Sequence, residues 1–172
     1  MSTYQLISSQ VLGSSAASVT FSSIPSTYKD LVLVASARTN KNASIDQYQI
    51  TFNSDSSAIY SQTYMLGNGS TTTNGTNTSQ GALYSIYLMD DAPASSSNTF
   101  STFELYIPNY TSTTSKPHYA YSAQEWNGAT GYAPNNIVAG LYRNTSAINR
   151  IDIASANSSS FYANSSFYLY GI

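Results

Sequence analysis

The chain's one histidine, His118, follows Lys116-Pro117 and is the one side chain whose ordinary pKa lies near neutral pH. A Ser-His-Asp relay is the chemistry it would serve. Serine is so abundant that composition localises no nucleophile, and no Gly-x-Ser-x-Gly elbow is present. His118 therefore reads as a structural or surface residue. The carboxylates are Asp30, Asp46, Asp55, Asp90, Asp91, Glu104, Glu125 and Asp152. Two carboxylates about 5–10 Å apart hydrolyse glycosides, but these eight are spread thinly and no spacing pairs them. Asp90-Asp91 stands before Ala92-Pro93, where Asp side chains commonly hold a turn. The spaced ligands of an EF-hand calcium loop are missing there. With no cysteine, thiolate metal sites, disulfides and cysteine nucleophiles are excluded. No phosphate-binding loop or dinucleotide fingerprint occurs. The expectation is a protein that is not an enzyme, with no catalytic residue, cofactor or metal.

Aromatic residues carry the remaining chemistry. There are 16 Tyr, six Phe and one Trp. Tyr106, Tyr110, Tyr119, Tyr121, Trp126, Tyr132 and Tyr142 crowd the second half. A tyrosine offers a flat apolar face and a hydroxyl at low entropic cost, which suits a sugar ring or another protein. Strand tyrosines also divide between core and rim by β-propensity alone. Trp126, beside the turn residues Asn127-Gly128, is the first candidate contact residue. Tyr132, Tyr110 and Tyr121 are the others, for a protein interface or a glycan.

Positioning such residues falls to strands. Tyr48, Ile50 and Phe52 alternate with polar residues, as do Phe103, Leu105 and Ile107, and Tyr84, Ile86 and Leu88 mark a third strand. Leu31-Val32-Leu33-Val34 is apolar on both faces, so it belongs in the core or under a partner subunit. Further strands are expected near Tyr4–Ile7, Ser18–Phe21, Ala58–Tyr64, His118–Trp126, Ile137–Tyr142, Ile148–Ile153 and Phe161–Tyr170. About ten short strands separated by Gly, Pro, Asn and Ser predict an all-β fold. The form expected is a single antiparallel β-sandwich, jelly-roll-like, spanning 1–172 as one domain. Gly67–Gly81 has no periodicity and reads as a long surface loop. Asp90–Ser97 and Asn127–Asn136 read as two more.

Composition agrees. The chain has 32 Ser, 18 Thr and 15 Asn, over a third of its 172 residues, and charged residues make up 8%. Disordered chains are poor in aromatics and rich in charge, the reverse of this one. Six scattered basic residues and a net charge of −2 offer no basic patch for nucleic acid. No run reaches the roughly 18 apolar residues of a membrane span. Met1–Leu6 lacks the basic region of a secretion signal, so the eight Asn-x-Ser/Thr triplets carry little weight as glycosylation sites.

Two stretches carry a resemblance. The first reads Ser18-Val19-Thr20-Phe21-Ser22-Ser23-Ile24-Pro25, then Tyr28-Lys29-Asp30-Leu31-Val32-Leu33, Ala37-Arg38, Phe52-Asn53-Ser54-Asp55 and Tyr60-Ser61. The second is Phe167-Tyr168-Leu169-Tyr170-Gly171-Ile172. Together they resemble small virion surface proteins of tailed bacteriophages, in which a Phe-x-x-Ile-Pro…Tyr-x-Asp-Leu start and a Leu-Tyr-Gly-Ile end bracket one β-sandwich. Relatives of that kind often show Phe-Asn-Gly-Asp where this chain has Ser54. The resemblance implies a virion location, after synthesis in the bacterial host cytoplasm. It implies a structural role as a capsid decoration (cement) protein on the head, or as a tail or fibre receptor-binding module for host cell-surface glycans. The partners implied are the major capsid protein or other virion proteins, a possible host glycan and further copies of the chain, with a homotrimer as the first expectation. It carries over no binding residue.

Overall fold

Twelve strands and no helix make up the computed structural model, which describes residues 3–42, 46–88, 98–125 and 134–172. In chain order the strands are β1 (Gln5–Val11), β2 (Ser18–Phe21), β3 (Leu31–Ala37), β4 (Asp46–Phe52), β5 (Tyr60–Gly67) and β6 (Thr72–Gln80). There follow β7 (Leu83–Leu88), β8 (Ser101–Ile107), β9 (Lys116–Ala123), β10 (Asn135–Tyr142), β11 (Ile151–Ser155) and β12 (Ser166–Gly171). They form an eight-stranded sheet, β1-β12-β3-β8-β9-β10-β5-β6, and a four-stranded sheet, β2-β11-β4-β7. Every pairing is antiparallel. The all-β antiparallel sandwich expected from the alternation is thus present. The division into eight and four strands departs from the two balanced sheets that the jelly-roll comparison suggests.

β4 shows why the sheets stack. Its inward residues Tyr48, Ile50 and Phe52 are fully buried, as the period of two requires. Tyr48 stacks on Phe103 of β8, ring centroids 4.8 Å apart. Phe52 meets Tyr142 of β10 edge-on at 5.3 Å and lies 6.0 Å from Tyr60 of β5. One strand of the small sheet thereby anchors three strands of the large one through aromatic pairs, each contributing about 0.5–1.5 kcal/mol beyond burial.

β3 answers the question posed by its double-sided run. Leu31 and Leu33 belong to the core between the sheets, while Val32, equally buried, points the other way. In register it lies between Tyr106 and Tyr170. The chain thus covers both faces of this strand itself.

The two motifs of the resemblance meet in space. Lys29 N and Asp30 N donate to Ile172 O at 2.8 and 3.2 Å, and Ile172 N donates to Asp30 O at 3.1 Å. The Tyr28 ring lies flat on Gly171, where a β-carbon would come 2.2 Å from the ring. Glycine is needed there for room. At Phe52–Asp55, Asn53 and Ser54 both have φ of 55°, and Asp55 N donates to Phe52 O at 2.9 Å. Two left-handed residues make a type I′ turn, which favours glycine. Ser54 keeps the turn with a hydroxyl that donates to Asp152 Oδ2 at 3.0 Å.

One expectation is corrected. Gly67–Gly81 is no loop: Thr72–Gln80 forms β6, paired with β5 from Gly67↔Thr72 to Tyr60↔Gln80. The tight turn before it is held by Asn68 Oδ1, which accepts from Ser70 N at 3.1 Å and Thr71 N at 2.8 Å. Gly75 lies beneath the ring of Tyr64, its register partner. The segment lacks periodicity because it buries neither face, so alternation has nothing to select. Its threonines supply the β-propensity. Asp90–Ser97 lies outside the described residues, as does Asn127–Asn136 apart from Pro134, Asn135 and Asn136.

Candidate interaction surface

Antiparallel register sorts the tyrosines. Because side chains alternate, one residue from each strand of the large sheet lines up in a rank on its outer face. One rank runs Leu6, Tyr170, Val32, Tyr106, Tyr119, Ala139, Thr63, Thr76. The next runs Ser9, Tyr168, Val34, Glu104, Tyr121, Ile137, Met65, Asn74. Eight strands span about 34 Å at the usual spacing. Neither rank contains a cation, and Glu104 is their one charge.

The rings in this face are braced. Tyr106 and Tyr119 stack with centroids 5.2 Å apart and 27° between planes. Tyr168 and Tyr170 stack at 6.5 Å, and Tyr4 meets Tyr170 edge-on at 5.9 Å. Tyr106 Oη donates to Asp30 Oδ2 at 2.7 Å, while Asp30 Oδ1 accepts from Asn109 N at 2.8 Å. The hydrogen bond to Asp30, with burial, pushes the Tyr106 hydroxyl up to about 12. Burial and the nearby Glu104 carboxylate raise Tyr119 as well. Both remain neutral donors at physiological pH. Tyr119 and Tyr121 are 45% and 46% exposed, Ile137 50% and Met65 57%. These side chains stand ready for contact on a pre-ordered surface.

Of the four candidate contact residues, Tyr121 lies in this face. Tyr110 does not: it is fully buried in the core, its hydroxyl donating to Pro25 O, and it has no surface for a partner. The hydrophobicity of its ring won over any rim role, since it closes the sandwich end beneath Ile148, whose N–H donates to Tyr110 O at 3.0 Å. Trp126 and Tyr132 fall outside the described residues. Tyr142 is also core, whereas Tyr4, Tyr168 and Tyr170 join the face. The signal for them was the i, i+2 spacing shared by Tyr119/Tyr121 and Tyr168/Tyr170, which places each pair on one side of its strand.

Three of the described carboxylates are engaged in holding the fold. Asp46, fully buried, accepts from Thr39 Oγ1 at 2.6 Å, Ser155 Oγ at 2.9 Å, Asn157 Nδ2 at 2.8 Å and Gln47 N at 2.8 Å. Asp55 accepts from Ser57, Tyr142 and Asn144. Asp152 takes Thr20 and a bidentate Arg150. Among the described residues no three of His, Cys, Asp and Glu converge. Asp90 and Asp91 lie outside the described residues.

His118 points inward. Its Nδ1 lies 3.3 Å from Lys116 O, its ring meets Phe52 edge-on at 5.6 Å, and Nε2 has no hydrogen-bond partner among the described residues. Burial lowers its pKa from 6.5 to about 4. The unfolded chain takes up this proton near pH 6.5 and the folded chain only near pH 4. Stability should therefore fall as pH drops through that window, by about 3 kcal/mol in all, and level off below it. Asp55, lowered chiefly by hydrogen bonds from Ser57, loses its contribution only at more acid pH. Urea unfolding between pH 7.5 and 4.5 measures the slope. His118→Gln should flatten it, and an unchanged slope in that variant would assign the dependence elsewhere.

The chain matches no family model, no curated protein and no solved structure.

Proposed function

We propose that this chain is a non-catalytic structural protein of a bacteriophage virion, a decoration protein that docks on a protein of the head through the tyrosine face of its large sheet. The observation that carries the docking half is the pair of side-chain ranks, which set braced tyrosines and aliphatic groups on one broad, cation-free surface. Tyrosines of this kind dominate protein interfaces, and depletion of charge marks their centres. The virion half rests on the resemblance of the paired Tyr28–Leu33 and Phe167–Ile172 segments. Without cations in the face, attachment should change little between low and high salt.

Quantitative gel densitometry of virions tests the location: hundreds of copies per particle are expected on this reading, and absence from the particle ends it. Tyr119→Ala with Tyr121→Ala tests the face. Both rings are half exposed, so the fold should survive while particle binding weakens by about tenfold or more. Binding as tight as wild type would remove the face from the proposal.

A second reading, a tail or fibre module for host glycans, is favoured by a shallow trough of about 300 Å³ beside Tyr119. Ala139 and Gly140 belong to its lining, with the hydroxyls of Ser61, Thr63, Thr76 and Thr78 around them. Hydroxyls in a shallow trough, with Tyr119 on the neighbouring strand in register with Ala139, fit a neutral sugar. Tens of copies or fewer per virion, with Tyr119-dependent binding of a neutral oligosaccharide, would favour this reading over decoration.

A further inference from the structure

We propose that β6 is a self-association edge: two copies of the chain pair β6 against β6, antiparallel about a two-fold axis, and join their eight-stranded sheets into one. β6 ends the large sheet and pairs with β5 on one side alone. Exposed edges invite pairing, and proteins blunt them with short strands, bulges, prolines or charges. The other described edges show such devices. β2 has four residues, and β1 is broken by a bulge between Leu6 and Ser8. β7 meets β4 with a register break between Tyr48 and Ile50. β6, nine residues long, has its own register break beyond Asn77, but it keeps six residues, Thr72 to Asn77, in unbroken register, more than the other described edges. It has no proline and no charge.

Charge decides the occupant. From Ser56 to Met89 the sequence contains no Asp, Glu, Lys, Arg or His. Two copies meeting here face no like-charge repulsion, and a charged foreign strand gains no ion pair. An antiparallel edge is also its own complement under a two-fold axis, so the contact closes after two copies. Side chains support continuation of the sheet. Thr63 Oγ1 and Thr76 Oγ1 already lie 3.2 Å apart across β5 and β6, and threonines from a second copy would extend that ladder. The turn ordered by Asn68 presents the edge preformed. Pairing would place both copies' tyrosine ranks on one continuous face. The inference itself does not depend on the virion reading.

Absence of cysteine makes the test clean. Single cysteines placed in turn from Thr72 to Asn77 should give a disulfide-linked dimer under mild oxidation. The yield should peak sharply at the residue nearest the axis, because only there does a strand meet its own equivalent. Thr63→Cys, one strand inward, should give none. The unmodified chain should sediment as a dimer at micromolar concentration. Thr73→Lys with Thr76→Lys, at exposed positions, should raise the dimer dissociation constant by about tenfold or more with an unchanged circular dichroism spectrum. A monomer, a trimer, a growing filament or a cysteine scan without a peak would each overturn the proposal, and so would a dimer indifferent to the two lysines. If the lysine variant does not fold, the cysteine scan decides alone.

Discussion

Gly140→Ala should cost about 3 kcal/mol of stability, at the upper end of what overpacking by a single methyl does. Gly140 faces inward on β10, directly opposite His118 on β9. A β-carbon there would lie 2.1 Å from His118 Nε2, 2.6 Å from Cδ2 and 2.9 Å from Cε1. The imidazole has nowhere to go. Phe52 stands against it, and its Nδ1 is placed against the carbonyl of Lys116. Backbone movement in the middle of an eight-stranded sheet would strain two ladders at once. Denaturant unfolding of the variant reads the loss, and a double-mutant cycle identifies the cause. Combined with His118→Ala, which vacates the space, Gly140→Ala should cost far less than it does alone. A variant as stable as wild type, or a cycle with no coupling, would show that the imidazole yields more easily than its packing implies.

Asp46→Ala should cost about 4 kcal/mol. The carboxylate ties its own strand to Thr39, after β3, and to the remote Ser155 and Asn157 at the end of β11, and it also accepts from Gln47 N within β4. Deleting it leaves two hydroxyls, a side-chain amide and the Gln47 N–H buried or half-buried without this acceptor, each at about 1–3 kcal/mol before relaxation. Asp46→Asn should recover only part of the loss, because one acceptor oxygen becomes a donor aimed at donors. A melting temperature within a degree of wild type for Asp46→Ala would mean that water replaces the carboxylate without penalty.

These two sites show what was legible and what was not. Alternation at Tyr48–Phe52 and Phe103–Ile107 marked strands because each buries one face, and the structure has them as β4 and β8. β6 escaped because a strand with both faces in water has no alternation to read. Tyr110 and Tyr121 look alike in the chain, since each is a tyrosine in a polar neighbourhood. What separates them is placement: Tyr121 takes an outward position on β9, whereas Tyr110 lies in the turn after β8 and closes the core. Asp46 resembled any other scattered acid, because its partners lie up to 111 residues away. His118 as a structural residue was readable from the absence of a localised nucleophile, but its seat opposite Gly140 required the β9–β10 register.

The seating of β12 between β1 and β3 has a kinetic consequence. β3 emerges from the ribosome more than a hundred residues before the strand that flanks it, and β1 earlier still. Until Phe167 and Leu169 arrive, Leu31 and Leu33 lack a neighbour, and one edge of β3 stays open. Closing loops this long before their contacts are gained is slow, so folding should run on the millisecond-to-second scale of non-local β proteins. The nascent chain thus carries an apolar strand with one edge open until β12 emerges. Its sparing use of charge leaves little electrostatic repulsion to keep neighbouring nascent chains apart, which makes the interval before β12 docks the chain's most aggregation-prone moment.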